Sequence, residues 1–151
     1  MAELTLFPRK NDFSRVWEYE LLGDYKIEYQ GAAIVVPRYF SYDGASIPSF
    51  GWQVIYTPFD PIVMLPALVH DWLYSNHQVD RDRADKLFRK LLKDNGVPSP
   101  KVETMYRAVQ FFGVAAWENS PDDIRYLRWL KKKLTDDGLD VSPYQFPPEV
   151  G

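Results

Sequence analysis

The spacing of proline and glycine constrains this 151-residue chain more than any other feature. Pro37, Gly44, Pro48, Gly51, Pro58 and Pro61 interrupt residues 37–61 so often that no regular element can run through them. The chain therefore reads as two halves with different periodicities. Before the breaks, apolar residues alternate. Trp17, Tyr19 and Leu21 fall on one face of a strand and Glu18 and Glu20 on the other. Gly23-Asp24 offers a turn, residues 25–30 alternate again, and Gln30-Gly31 offers a second turn before an apolar run over 32–36. Short strands with tight turns predict a small N-terminal antiparallel β-meander.

After the breaks the period is helical. A first helix is expected from about Pro66 to Asn76. Asp80 can cap a second, whose apolar stripe is Ala84, Leu87, Phe88, Leu91 and Leu92, with Gly96 ending it. Ser99-Pro100 opens a third, with a stripe of Met105, Val109, Phe112 and Ala116. Ser120-Pro121-Asp122-Asp123 has the cap, proline and acid of a fourth helix start, and Gly138 closes it. The predicted class is α+β: a β-meander, a Pro/Gly-rich loop and a C-terminal bundle of about four helices. One domain over 1–140 is expected, with 141–151 as an extended Pro-rich tail.

Composition narrows the function classes. The hydrophobic fraction is 46% and the aromatic fraction 16%, enough apolar area for a core. A net charge of −3 argues against general nucleic-acid binding, which needs a basic face. Arg125, Arg128, Lys131, Lys132 and Lys133 cluster on one helix, and a solvated helix face explains them. With no cysteine, disulfides and thiolate metal sites are excluded. No signal peptide or transmembrane segment is read in the chain.

The residues that carry chemistry lie in the apolar stretch Leu65-Pro66-Ala67-Leu68-Val69-His70-Asp71-Trp72-Leu73-Tyr74. Polar side chains in such a helix must be satisfied. His70 and Tyr74 are four apart and share a face; Asp71 points about 100° away. A short connection should pack the next helix antiparallel, which brings Asp85 opposite His70 and Tyr74. A carboxylate on one imidazole nitrogen fixes the tautomer and raises basicity at the other, the minimum apparatus for activating water. The same three residues can also stitch two helices together without catalysis. The loop Tyr42-Asp43-Gly44-Ala45-Ser46-Ile47-Pro48 is the second candidate. Asp43 and Ser46, beside the turn-forming Gly44, could join Asp71 in an oxygen-rich calcium site; zinc through His70, Asp71 and Asp43 is the weaker chemistry. Asp43-Gly44 also reads as an ordinary turn. His77 reads as a surface turn residue, and Tyr106, Phe111, Phe112 and Trp117 as core or partner-facing aromatics.

Four ordered blocks, at Asp43 to Pro48, Ala67 to Tyr74, Arg83 to Phe88 and Tyr106 to Gly113, resemble a small family of phage and prophage proteins of unknown function. The resemblance covers about 38–117. It implies a bacteriophage origin, often near tail genes, and hence a virion-associated tail component or tail-assembly adaptor. Other virion proteins would be its partners, with the virion or the host bacterial cytoplasm as its location. The aromatic loop and the tail would dock.

A shorter stretch, His70-Asp71-x-x-Tyr74 followed by Asp85, is similar to the catalytic helices of phospholipase A2, most of all the cysteine-free version in parvovirus capsid proteins. That resemblance implies a calcium-dependent esterase acting on lipid during host entry. His70 would be the base, Asp71 a calcium ligand, Asp85 the group that orients His70, and Tyr74 a donor to Asp85. Tyr42-Asp43-Gly44 and Ser49-Phe50-Gly51 do not reproduce the Gly-rich calcium loop of those enzymes.

Overall fold

The computed structural model describes residues 6–10, 17–42 and 61–151. The chain divides into two compact units, residues 1–43 with 119–151 and residues 44–118. The class is α+β, as expected: among the described residues, short antiparallel strands come first and four helices follow.

In the first unit, β1 (Leu6–Lys10) pairs antiparallel with β2 (Trp17–Leu21), placing Leu6 opposite Leu21. Pro8 sits in this edge strand, where a missing N–H is tolerated. The other neighbour of β2 is β5 (Ser41–Tyr42). Between them in sequence lies the hairpin β3 (Tyr25–Tyr29) and β4 (Ala32–Val36), a separate two-stranded sheet. Its turn places Gln30 and Gly31 at φ 49° and 80°, the left-handed pair of a two-residue hairpin. The strands expected from alternation are present, but their pairing departs from a simple meander. The segment after β4 returns to β2: the Leu21 N–H donates to the Phe40 carbonyl at 3.0 Å and the Tyr39 N–H to the Leu21 carbonyl at 2.6 Å. Asp24 fixes this crossing by accepting from the Arg38 N–H and the Tyr144 hydroxyl, each at 3.0 Å.

The fourth helix, α4 (Pro121–Asp136), belongs to this unit. Ser120 and Asp123 form its capping box, and Gly138, at φ 81°, closes it. Its basic face is engaged internally. Arg125 pairs with Asp122, Lys132 with Asp136, and Lys133 lies 4.0 Å from Glu20 and over the Tyr39 ring. Residues 141–151, expected as an extended tail, form two 3-10 turns, Ser142–Tyr144 and Pro148–Val150, with Tyr144 and Val150 buried. Arg128 and Lys131 donate to carbonyls of Glu149 and Gly151.

The second unit contains α1 (Pro61–Asn76), α2 (Arg81–Asp94) and α3 (Ser99–Trp117). Apolar side chains ring α1, from Val63 through Leu73, which is the pattern of a helix covered on most sides. The stripe expected on α2 is buried throughout. Asp80 caps it by accepting from the Arg83 N–H at 2.8 Å. At its other end the Gly96 N–H donates to Lys93 and the Val97 N–H to Leu92, a closed Schellman motif. Helix α3 begins at Ser99, one residue before the proline, with Pro98 as N-cap.

The first helix starts earlier than proline placement suggested: α1 runs from Pro61, and Pro66 lies inside it. Proline has no N–H for the carbonyl four residues back, here that of Ile62. The Asn95 side-chain amide, at the C-cap of α2, donates to that carbonyl at 3.1 Å. A neighbouring helix thus supplies the bond that the proline cannot make. Asn95→Ala is expected to cost about 1 kcal/mol in urea unfolding. The cost should largely vanish in a Pro66→Ala background, where residue 66 regains its own N–H. Equal costs in both backgrounds would show that Asn95 does not serve the Pro66 break.

Candidate functional site

His70 lies on the fully packed side of α1, with 1% of its surface exposed. Its Nε2 is 2.8 Å from Asp85 Oδ1 on α2. Burial pushes its pKa below the ordinary value, outweighing the pull of Asp85 in the other direction. The ring is therefore neutral near pH 7 and carries one proton. Two donors converge on Asp85 Oδ1, so that proton sits on Nε2 and is donated to the carboxylate. Nδ1 is left as a lone pair, buried and without a hydrogen-bond partner among the described residues.

Tyr74, one turn on from His70, donates its hydroxyl to the same Asp85 oxygen at 2.6 Å. Burial first, then Asp85, push the phenol pKa up, with Arg81 opposing them. The hydroxyl stays a donor at every physiological pH. Arg81 Nη1 stands 3.8 Å from Asp85 Oδ2 and donates to the Gln110 carbonyl of α3 at 3.0 Å. A buried carboxylate is tolerated only when paired and hydrogen-bonded, and these three groups meet that demand. The rings of Tyr74 and Phe88 lie 4.2 and 4.9 Å from that of His70 and close its apolar sides.

Of the residues singled out in the sequence, the structure brings His70, Tyr74 and Asp85 together. Asp71 is half-buried on α1, and its carbonyl accepts from Ser75 Oγ. Asp43, Gly44 and Ser46 lie outside the described residues. Among the described residues no group of three or more His, Asp or Glu side chains could hold a metal ion. His77, at φ 56° after α1, is exposed as expected. It stacks on Trp117 at 3.9 Å and donates from Nε2 to the Trp117 carbonyl. Trp117 in turn meets Tyr74 edge-on at 5.1 Å. Phe111 and Val114 are exposed on α3.

Two residues of the site are not apparent from the sequence pattern. Arg81 stands four residues before Asp85, the spacing of a helical ion pair, and that spacing was a usable signal. Gly113 is buried on α3, where the expected stripe passed through Phe112 and Ala116; Ala116 is exposed. A Cβ on Gly113 would collide with the Tyr74 hydroxyl and meet its Cζ at 3.1 Å. A glycine inside an apolar helix was the signal, since it costs about 1 kcal/mol relative to alanine unless packing requires it.

Residues 19–109 match the model of DUF1353, a family described as proteins of unknown function, and the chain belongs to that family. It is also 30% identical over 96 residues to an uncharacterized protein, y4jT, of Sinorhizobium fredii. That match covers 63% of this chain but 29% of the relative, so the chain spans under a third of that protein's length. No solved structure matches. No helix among the described residues is long and apolar enough to cross a membrane.

Two outcomes follow from the geometry. Asp85→Ala strands two buried donors and should cost about 3 kcal/mol or more in urea unfolding. The second concerns pH. The folded-state pKa of His70 lies below the 6.5 of the free side chain. Below 6.5 the unfolded chain takes up a proton that the folded chain refuses. The His70 contribution is therefore full above 6.5 and is lost as pH falls from there towards the depressed folded value. Unfolding measured at closely spaced pH values should show this acid limb in the wild type and a flatter one in His70→Gln. Identical limbs would assign the loss to other groups.

Proposed function

We propose that this DUF1353 protein is a hydrolase of the phospholipase A2 kind, in which His70 activates water for attack on an ester. The observation that carries this reading is Nδ1, buried and without a partner among the described residues. Nε2 is tied to Asp85, so the ring is held in the one tautomer that leaves Nδ1 basic. In the step, Nδ1 takes a proton from water as the water oxygen bonds to the ester carbonyl carbon and the C=O π pair moves to its oxygen. The resulting imidazolium is stabilised by Asp85, whose own position is held by Tyr74 and Arg81. When the oxyanion collapses, the carbon–alkoxide bond breaks and Nδ1 returns the proton to the leaving alcohol. The reading requires water and substrate to reach a ring that is 1% exposed.

Calcium is the ion that the phospholipase resemblance implies. The described residues do not assemble a site for it: Asp71 is the one implied ligand among them, whereas calcium takes about six to eight oxygens. The proton transfer at Nδ1 uses only side chains of this chain. A second reading is the phage virion-associated adaptor that the family resemblance implies, and two observations are compatible with a docking role. Phe111 and Val114 present apolar surface on α3, 76% and 63% exposed, and aromatic anchors are common in interfaces. The 1% exposure of His70 also suits a purely structural clasp.

The test is hydrolysis of mixed phospholipid vesicles, with and without calcium. The wild type should release fatty acid, and His70→Gln should lower the rate by about 10²–10⁴-fold, the worth of a general base. Asp71→Asn should matter only if calcium is required. A folded wild type that hydrolyses nothing under either condition would sink the hydrolase and leave the adaptor. Cosedimentation of the protein with purified particles would then be the measurement to make.

A further inference from the structure

Helix α3 touches the His70 centre at two points one turn apart, and neither lies on the residues that would do the chemistry. At Gly113 the missing side chain makes room for the Tyr74 phenol. At Gln110 the backbone carbonyl holds the Arg81 guanidinium. Tyr74 and Arg81 are the groups that address the two oxygens of Asp85, Oδ1 and Oδ2 respectively. The partner of His70 is thus held from both sides by side chains whose own places are set by one turn of α3.

We propose that the Gln110–Gly113 turn of α3 is a positioning element for His70, acting through Tyr74 and Arg81 on Asp85. The proposal rests on the hydrolase reading for its function, while the geometry stands apart from it. Any side chain at 113 forces the Tyr74 ring to move. The 2.6 Å hydroxyl bond to Asp85 is then the first to break, because the collision is with that hydroxyl. With Oδ1 left to a single donor, the carboxylate can rotate, and the Nε2 bond that fixes the His70 tautomer loses its geometry. Arg81 limits that rotation from the other side only while Gln110 keeps it in place. Gly113 and Arg81 are accordingly positioning residues rather than catalytic ones.

The experiment is a mutant cycle on the full chain, read by melting temperature and by proton NMR of the Tyr74 hydroxyl. A buried hydroxyl held this tightly gives a downfield resonance that exchanges slowly, and Tyr74→Phe identifies it by removing it. Gly113→Ala should lower the melting temperature and lose or shift that resonance. In a Tyr74→Phe background the same substitution should lower the melting temperature much less, since the colliding atom is gone. Arg81→Met, which takes the 3.8 Å partner from Oδ2, should shift the resonance and lower the melting temperature. If Gly113→Ala alone does not fold, recovery of folding in the double variant carries the same conclusion.

Equal drops in melting temperature in the two backgrounds, or a resonance unmoved by both Gly113→Ala and Arg81→Met, would overturn the proposal. Where vesicle hydrolysis is found, Gly113→Ala should lower kcat and leave KM alone, as expected for an interaction that serves the transition state. Where it is not found, the hydrolase reading fails while the resonance and the mutant cycle still judge the positioning.

Discussion

The carboxylate of Asp85 is the group around which the helical unit is arranged. It is 1% exposed, and an ionised carboxyl at that depth costs several kcal/mol unless each oxygen is addressed. Its partners come from different places: His70 and Tyr74 from α1, Arg81 from its own helix, and Arg81 is held in turn by α3. The register of α1 against α2 is thereby specified by polar interactions. Apolar packing alone would tolerate a slip of a turn, because α1 is apolar almost all round and offers no stripe to choose one face. Such a slip would leave a buried charge facing hydrocarbon. The short link between the two helices supports the same register. Its backbone turns at His77, at φ 56°, and the Asn76 side chain accepts from the Gln78 N–H at 3.0 Å.

What could be read from the sequence was what local chemistry decides. The caps at Asp80 and Ser120 and the stops at Gly96 and Gly138 depend on residues within one turn of each helix end. The proximity of His70, Tyr74 and Asp85 was legible for a related reason: a four-residue spacing and a short link leave little freedom. The features that escaped depend on distant partners. Pro66 reads as a helix start until Asn95, far along the next helix, is known to replace its missing hydrogen bond. The partner of β2 could not be found by reading forward from Gly23-Asp24, because β5 returns only after the whole β3–β4 hairpin. Gly113 carries no side chain to show a pattern; its purpose is visible only with Tyr74 beside it.

A helix clasp and a general-base centre require most of the same hydrogen bonds, so the bonds common to both decide nothing between them. The difference lies in the atom left over. To bond Asp85, α1 needs only a donor, and a tryptophan N–H would make that bond with no acceptor orphaned. Histidine brings a second nitrogen, and here that nitrogen is buried without a partner among the described residues. Burial also pushes the His70 pKa down, which favours the neutral ring with Nδ1 unprotonated. An unprotonated nitrogen, fixed in direction by a carboxylate on the opposite side of the ring, is the state in which imidazole accepts a proton from water. The surplus nitrogen, rather than the hydrogen bonds around it, is the feature on which the proposed hydrolase reading rests.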